Sequence, residues 1–371
     1  METSKKKYST IHYQQYLQLD KILDAQRLRS AEEESEPAHD ELLFIIIHQV
    51  YELWFKQIIH EVRSVAELFR KVRVDERNMG TAVARLQRVI EIQKVLIEQI
   101  RILETMTPLD FLEFRNYLFP ASGFQSFQFR VVEAMLGLQE QERLTYNSQP
   151  YTSAFEQEQQ AQLQEIQEGG TLFDLVEAWL ERTPFLQFGD FHFLEHYKKA
   201  VQRMLAKEQD AIRESDYLNE EEKAMRLKML GSSDTYYRSV LDAEAHEQLR
   251  KEGKVRFSYK ATIAVLLINL YRDEPILQVP FQLLTSLVDI DELLTMWRYR
   301  HAQMVLRMLG RKIGTGGSSG YDYLHATAVK HHIFTDLHNI STLLIPRSEL
   351  PELPPAVKQE LGFFISTTVG Q

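Results

Sequence analysis

Apolar and polar positions follow a helical period of about 3.6 residues along most of this chain. The pattern is densest between Asp40 and Val72, DELLFIIIHQVYELWFKQIIHEVRSVAELFRKV. Asp40 is a favourable N-cap and Glu41 puts negative charge in the first turn, so a helix is predicted to begin there. Its first half, Leu42 to Ile47 with Val50, is apolar almost all round, the mark of a buried helix. His48 is the one ionisable group in that run. Phe44, His48 and Tyr51 fall at i, i+4 and i+7 and share a face. Burying an imidazole among isoleucines is costly without a hydrogen bond. Two readings stay open: a core histidine satisfied by a backbone carbonyl, or a histidine that faces a pocket.

The same period predicts further helices on either side. Tyr8 to Leu28 is amphipathic and ends in an acidic loop around Glu32 to Pro37. Met79 to Leu103 is a long amphipathic helix. Thr107-Pro108-Leu109-Asp110 combines an N-cap, a proline at N1 and a capping box, and the helix it starts carries Phe111 and Arg115 before Pro120 stops it. Ser122 to Gln125 restarts a helix by the same box logic, running to Gly137. Leu138 to Gly170 is rich in Gln and Glu and reads as a solvated helix or linker. Helices are predicted over Thr171 to Thr183, Asp190 to Ile212, Asn219 to Leu230 and Asp234 to Lys251. Ser258 caps an apolar helix to Tyr271; a long pattern from Pro280 to Gly310 has room for a break near Asp289. A glycine loop, 314 to 320, precedes a predicted helix from Tyr321 to about Leu344, and a proline-rich tail follows. No convincing strand and no repeat is found, so the expected class is all-α: a helical bundle with a helical insertion. The expected division is an N-terminal segment 1–38, a core of 39–137 and 254–347, an insertion 138–253 and a tail 348–371, in which Phe363-Phe364-Ile365 could dock or stay free.

Composition narrows the chemistry. A net charge of -10 and a pI of about 5.7 argue against a nucleic-acid binder or a basic membrane-surface protein. The chain has no cysteine, which removes disulfides, iron–sulfur clusters, thiolate-ligated haem and cysteine nucleophiles. METSKKKYST lacks the apolar stretch of a secretory signal, and no uninterrupted run of about 18 apolar residues is present. The expectation is a cytoplasmic protein with no membrane span.

Three further stretches carry candidate chemistry. His192-Phe193-Leu194-Glu195-His196 fits the H-x-x-E-H pattern of inverted zinc peptidases, but five residues are a weak signal and a surface helix explains them more simply. His331-His332 reads as an exposed pair on a helix. The glycine loop lacks the lysine of a phosphate-binding loop and follows no predicted strand; it is either a mobile linker or a loop that closes over a ligand. His301 stands on an apolar stripe with Leu294, Trp297, Val305 and Met308. It is either a satisfied core histidine or an axial haem ligand, since haem needs an apolar slot and one imidazole on a rigid helix.

Taken together, HDELLFIIIHQVYELWFKQI, LETMTPLDFLEFRNYLFPASGFQSFQFR, LYRDEP, WRYRHAQMV, GTGGSSGYDYL and STLLIPR resemble the tryptophan 2,3-dioxygenase family, in the family's order from about Tyr13 to Arg347. Leu138 to Gly253 matches more loosely, and Leu42 stands where a polar residue is expected. The resemblance implies an all-α homotetramer with one haem b per subunit. It implies oxidation of L-tryptophan by O2 to N-formylkynurenine, the first step of the kynurenine route. His301 then matches the proximal haem ligand and His48 the distal residue that accepts a hydrogen bond from the indole N–H. Arg115 matches the clamp on the substrate carboxylate and Thr315 the contact to its head group. Phe44 and Phe111 match the indole walls, and Ser122 a polar neighbour of the haem edge. Tyr13 and Tyr16 match an arm that reaches a neighbouring subunit's pocket. Trp297, one turn before His301, is near enough to support it, and a partner that raises the basicity of His301 is expected. Two alternatives remain: a haem oxygenase of the same superfamily acting on another indole, and a non-catalytic haem-binding helical protein.

Overall fold

The computed structural model describes residues 10–34, 36–71, 74, 76–144, 150–188, 191–312 and 320–362. The architecture is all-α. Three long helices make its frame: Glu41–Phe69, Glu76–Leu103 and Pro275–Leu309. Glu76–Leu103 lies between the other two and packs along both. Gly320–Lys330 lies against Pro275–Leu309, and Phe127–Leu136 crosses Glu41–Phe69. Polar ties set the register of the central pair. Gln93 Nε2 donates to the Ile290 carbonyl at 3.1 Å, and Gln87 Nε2 to Ser286 Oγ at 3.0 Å.

The segment 138–253, expected as an insertion, shares this core. Phe155, Leu163, Phe173 and Val176 belong to the same buried apolar cluster as Ile58, Leu86 and Leu287. The Gln/Glu-rich stretch holds a helix, Gln157–Glu168, that buries Leu163. The tail helix Pro355–Leu361 likewise buries Val357 and Leu361. Phe363, Phe364 and Ile365 lie outside the described residues.

Several predicted boundaries move. Asp40 makes no side-chain cap; Glu41, the next residue, accepts from the backbone N–H groups of Arg29 (2.8 Å) and Ser30 (2.9 Å) and ties the N-terminal segment down. The N-terminal amphipathic stretch is two short helices, Tyr13–Leu17 and Leu19–Leu23, broken at Gln18 with φ 52°. Ser122 closes its capping box over one 3-10 turn only, and Ser126 caps the helix that follows. Helix Glu220–Leu241 runs through Gly231, and the break comes at Asp242, whose carboxylate caps Ala243–Lys251. Pro275–Leu309 is continuous through Pro280 and Asp289. A two-residue antiparallel ladder, Gln187–Phe188 with Phe191–His192, corrects the expectation of no strand. Glu41–Phe69 is, among the described residues, the one helix long and apolar enough to cross a membrane by length and composition. In the fold its Glu61 pairs with Arg88 at 2.8 Å and its Glu52 accepts from Ser126 and Gln128.

Candidate functional site

A cavity of about 560 Å³ opens between the His48 helix, the His301 helix, Pro108–Arg115, the 116–126 loop, Phe127–Leu136 and Gly320–Lys330. That is the size class of cofactor and small-ligand pockets. The walls are mostly apolar, among them Ile100, Leu103, Met106, Met304 and Met308.

His48 faces this space. Its Nδ1 lies 2.7 Å from the Phe44 carbonyl oxygen. A carbonyl can only accept, so Nδ1 carries the hydrogen and Nε2 is left as the acceptor of the neutral ring. The ring touches the cavity although protein surrounds it on most sides. That burial holds its pKa below the ordinary value, against the opposing pull of the Phe44 bond and of Glu52. Phe44 packs on it at 4.1 Å with the rings tilted by 37° and meets Phe111 at 5.7 Å, while Phe111 stands edge-on to Phe114 at 5.3 Å.

Phe111 and Arg115 come from one short helix whose start is fixed by the predicted box. Thr107 N–H donates to Asp110 Oδ2 at 2.8 Å, and Asp110 N–H donates to Thr107 Oγ1 at 3.3 Å. Arg115 is its last residue and lines the cavity. Ser122, in the loop beyond, lines it too.

His301 enters from the long helix, stacked on Trp297 at 5.3 Å. Burial, and then His48 in the same cavity, push its pKa down to about 4. It is therefore a neutral imidazole with a free lone pair at neutral pH. The partner expected to raise its basicity is not found: no hydrogen bond to the ring occurs among the described residues. Trp297 is wedged between Phe55 (6.1 Å), Tyr51 (6.0 Å) and Phe129 (5.0 Å), which fixes the stack. The hydroxyl of Tyr51 donates to the Leu96 carbonyl at 2.7 Å, and burial pushes its pKa up to about 12.

Seven of the residues singled out in the sequence thus share one cavity: Phe44, His48, Phe111, Arg115, Ser122, Trp297 and His301. Tyr13 and Tyr16 do not line it in this chain and are 68% and 70% exposed. Thr315 lies outside the described residues, as does most of its glycine loop.

Two histidine expectations resolve differently. His196 Nδ1 bonds the His192 carbonyl at 2.9 Å and its ring stacks on Phe191, so it serves its own helix start. No group of three metal-ligating side chains occurs among the described residues. His331 is not exposed: it is buried, just past the end of Gly320–Lys330, and its Nε2 accepts from the Leu144 N–H at 3.2 Å. The helix expected to continue to Leu344 ends there because Asp291 captures the N–H groups of Ile333 and Phe334 at 3.0 Å each.

Sequence reasoning missed the polar end of the cavity. Glu133 is fully buried and pairs with Arg130, Arg143 and Arg298 at 2.8, 2.7 and 2.8 Å. Burial alone would raise its carboxyl; the surrounding guanidiniums overcome this and hold it well below the usual carboxylate range. The available signal was an Arg and a Glu at i, i+3 inside the apolar run Phe127–Leu136.

The family model described as tryptophan 2,3-dioxygenase matches residues 1–344. A tryptophan 2,3-dioxygenase of Bdellovibrio bacteriovorus is 50% identical, over 96% of this chain and 99% of that protein. One of Alteromonas mediterranea is 46% identical over 97% and 99%. One of Xenopus laevis is 48% identical over 94% of this chain and 86% of its own length.

Proposed function

The chain belongs to the tryptophan 2,3-dioxygenase family, and from that premise we propose that it adds both atoms of O2 to the indole of L-tryptophan, yielding N-formylkynurenine. The cofactor is haem b, one per subunit. The observation that carries this reading is one apolar cavity holding a neutral His301, a neutral His48 and Arg115 together. The residues fit the cofactor. His301 offers an uncommitted imidazole on a rigid helix, and the three-arginine cluster around Glu133 leaves surplus positive charge for the two propionate carboxylates. A bound haem supplies the iron chemistry that lets dioxygen react with the indole C2–C3 bond.

The rest is positioning. Arg115 holds the substrate carboxylate with two parallel hydrogen bonds, and the apolar walls around it exclude the water that would weaken them. Thr315 is assigned to the amino-acid head group on the resemblance alone. Phe44 and Phe111 form the apolar wall against which the indole packs. Nε2 of His48 accepts from the indole N–H and fixes the ring's rotation about its own plane. The indole proton stays in place, so His48 orients and need not act as base. The test is turnover of the haem-loaded chain under isotopically labelled O2. Both labelled atoms are expected in one ring-opened product; a product carrying one or none overturns the reading.

His48→Ala removes a neutral hydrogen bond of about 1–1.5 kcal/mol, so kcat/KM is expected to fall roughly tenfold with the haem spectrum intact. Protonated His48 cannot accept. Because its pKa lies below 6.5, tryptophan affinity is expected to be level at higher pH and to be lost only as pH falls below that value. Complete inactivity of His48→Ala with haem retained would instead make the histidine an obligatory base.

The assembly proposed is a homotetramer with exchanged N-terminal arms. Ile11, Tyr13, Tyr16 and Leu23 are exposed, and so are Leu42, Ile46 and Leu53 on the His48 helix, an apolar surface that a second copy would cover. A chain starting after Leu28 is expected to keep haem but bind tryptophan weakly. Co-assembled with full-length His301→Ala, it should regain turnover, since a mixed oligomer pairs one chain's haem with the other's arm. Verified mixed oligomers without turnover would assign each arm to its own subunit.

A further inference from the structure

The roles assigned so far leave the carboxylate of Glu133 itself without one. Glu133 is 0% exposed and lies in the cavity wall with Arg130 and Arg298. Its Oε2 receives Arg130 Nη1 and Arg143 Nη1, and its Oε1 receives Arg298 Nη2. Three guanidiniums meet one carboxylate. His331, 3.7 Å away, is kept from protonation by burial, so the excess is two positive charges. Nε and Nη2 of Arg143, Nε of Arg298 and Nδ1 of His331 are buried without a hydrogen-bond partner among the described residues.

Uncompensated buried charge is among the most costly features a fold can carry. Here it sits at the edge of a cavity and matches in number the two carboxylates of a haem b. Arg130 and Arg298 stand on different helices, Phe127–Leu136 and Pro275–Leu309, and would repel each other without an anion between them. Arg298 also donates through Nη1 to the His331 carbonyl at 2.9 Å, which ties in the segment after Gly320–Lys330. It lies one turn before His301 on the same helix.

We infer that Glu133 is a positioning residue: its carboxylate directs Arg130 and Arg298 at the cofactor's two carboxylates and sets the local charge that tunes the cofactor's reduction potential. This rests on the haem reading above. The sign follows from electrostatics. Ferric haem gains one electron on reduction, so removing a nearby negative charge favours the ferrous form, and removing a nearby positive charge favours the ferric form. One buried unit charge at the scale of a haem's own dimensions shifts that equilibrium on the order of tenfold.

The experiment is a spectroelectrochemical titration of the haem-loaded full-length chain without substrate, for wild type, Glu133→Gln, Glu133→Asp and Arg143→Gln. Arg143 does not line the cavity. Glu133→Gln is expected to move the equilibrium about tenfold toward ferrous. Arg143→Gln should move it by a similar factor toward ferric, and Glu133→Asp should stay near wild type. Transfer of haem to excess apomyoglobin gives a second readout. Glu133→Gln should release haem faster than wild type, and the two should release the dimethyl ester of haem alike, because that ligand has no carboxylates to hold. A packing role alone would lower the melting temperature without producing opposite shifts in potential. Glu133→Gln and Arg143→Gln moving the potential the same way, or not at all, with the histidine-ligated spectrum retained, would overturn the inference. If Glu133→Gln does not fold, the sign of the Arg143→Gln shift decides. A wild-type chain that takes up no haem is seen before any variant and overturns the haem reading together with this one; unmoved potentials in haem-binding variants overturn only the role of Glu133.

Discussion

His301→Ala is expected to abolish turnover and to remove the histidine-ligated haem spectrum in the same step. The neutral ring sits on a rigid helix, stacked on Trp297, and in this reading supplies the bond to iron, which alanine cannot make. Imidazole added to the solution is expected to restore part of the spectrum, because the alanine leaves a ring-sized space open to the cavity. The haem-free chain offers a check of the opposite sign. His301 has a pKa of about 4 in the fold against 6.5 when unfolded, so between those values the unfolded chain binds more protons. Stability therefore rises with pH across that window, and the wild type loses on the order of 3 kcal/mol as pH falls through it. Alanine carries no such penalty. The melting temperature of haem-free His301→Ala should fall less between pH 7 and pH 5 than that of wild type, although His48, shifted in the same direction, keeps the variant's own fall from vanishing. Unchanged spectrum and turnover in the variant would remove His301 from the site.

What could be read from the sequence was local. The capping boxes at Thr107 and Thr171 and the caps at Ser258 and Asp242 involve residues three apart, and where they were recognised the helix starts fell within a residue. His48, beside Phe44, and His301 stood out because an imidazole interrupted an apolar face at helical spacing, whereas Phe111 and Arg115 were an i, i+4 pair whose roles came only from the family resemblance. The errors came from contacts distant in sequence. At the start of the His48 helix Asp40 makes no cap, and Glu41 instead holds the backbone of Arg29 and Ser30, a contact across 11 to 12 residues that the periodicity does not show. A helix through His331 looked continuous until Asp291, 42 residues earlier, took the N–H of Ile333. That contact also turns His331 inward, which no local pattern indicates. Gly231 and Asp289 looked like breaks, yet both helices run through them; at Asp289 the buried neighbours Leu287 and Ile290 outweigh a propensity cost of under about 1 kcal/mol. The Glu133 cluster draws its charges from Phe127–Leu136, the 140s and Pro275–Leu309, so its balance becomes visible only when the three segments meet.

Arg115→Lys is expected to lower kcat/KM for tryptophan by roughly 30- to 150-fold, the equivalent of about 2–3 kcal/mol, despite keeping the charge. The guanidinium presents two N–H groups in a plane that matches both oxygens of a carboxylate, whereas an ammonium is a point charge that satisfies one oxygen well. Position sharpens the difference. Arg115 closes a helix whose start is locked by Thr107 and Asp110, and Phe111 one turn earlier packs on Phe44, so the backbone has little freedom to bring a shorter reach forward. The surrounding walls are apolar, so water does not compensate the oxygen left without a partner. Tryptamine, which lacks the carboxylate, isolates this contact from any general damage to the site. Wild type and Arg115→Lys should bind tryptamine to the haem-loaded chain with nearly equal affinity while differing widely for tryptophan. An equal loss for both ligands would show that Arg115 supports the cavity wall and does not hold the substrate's carboxylate.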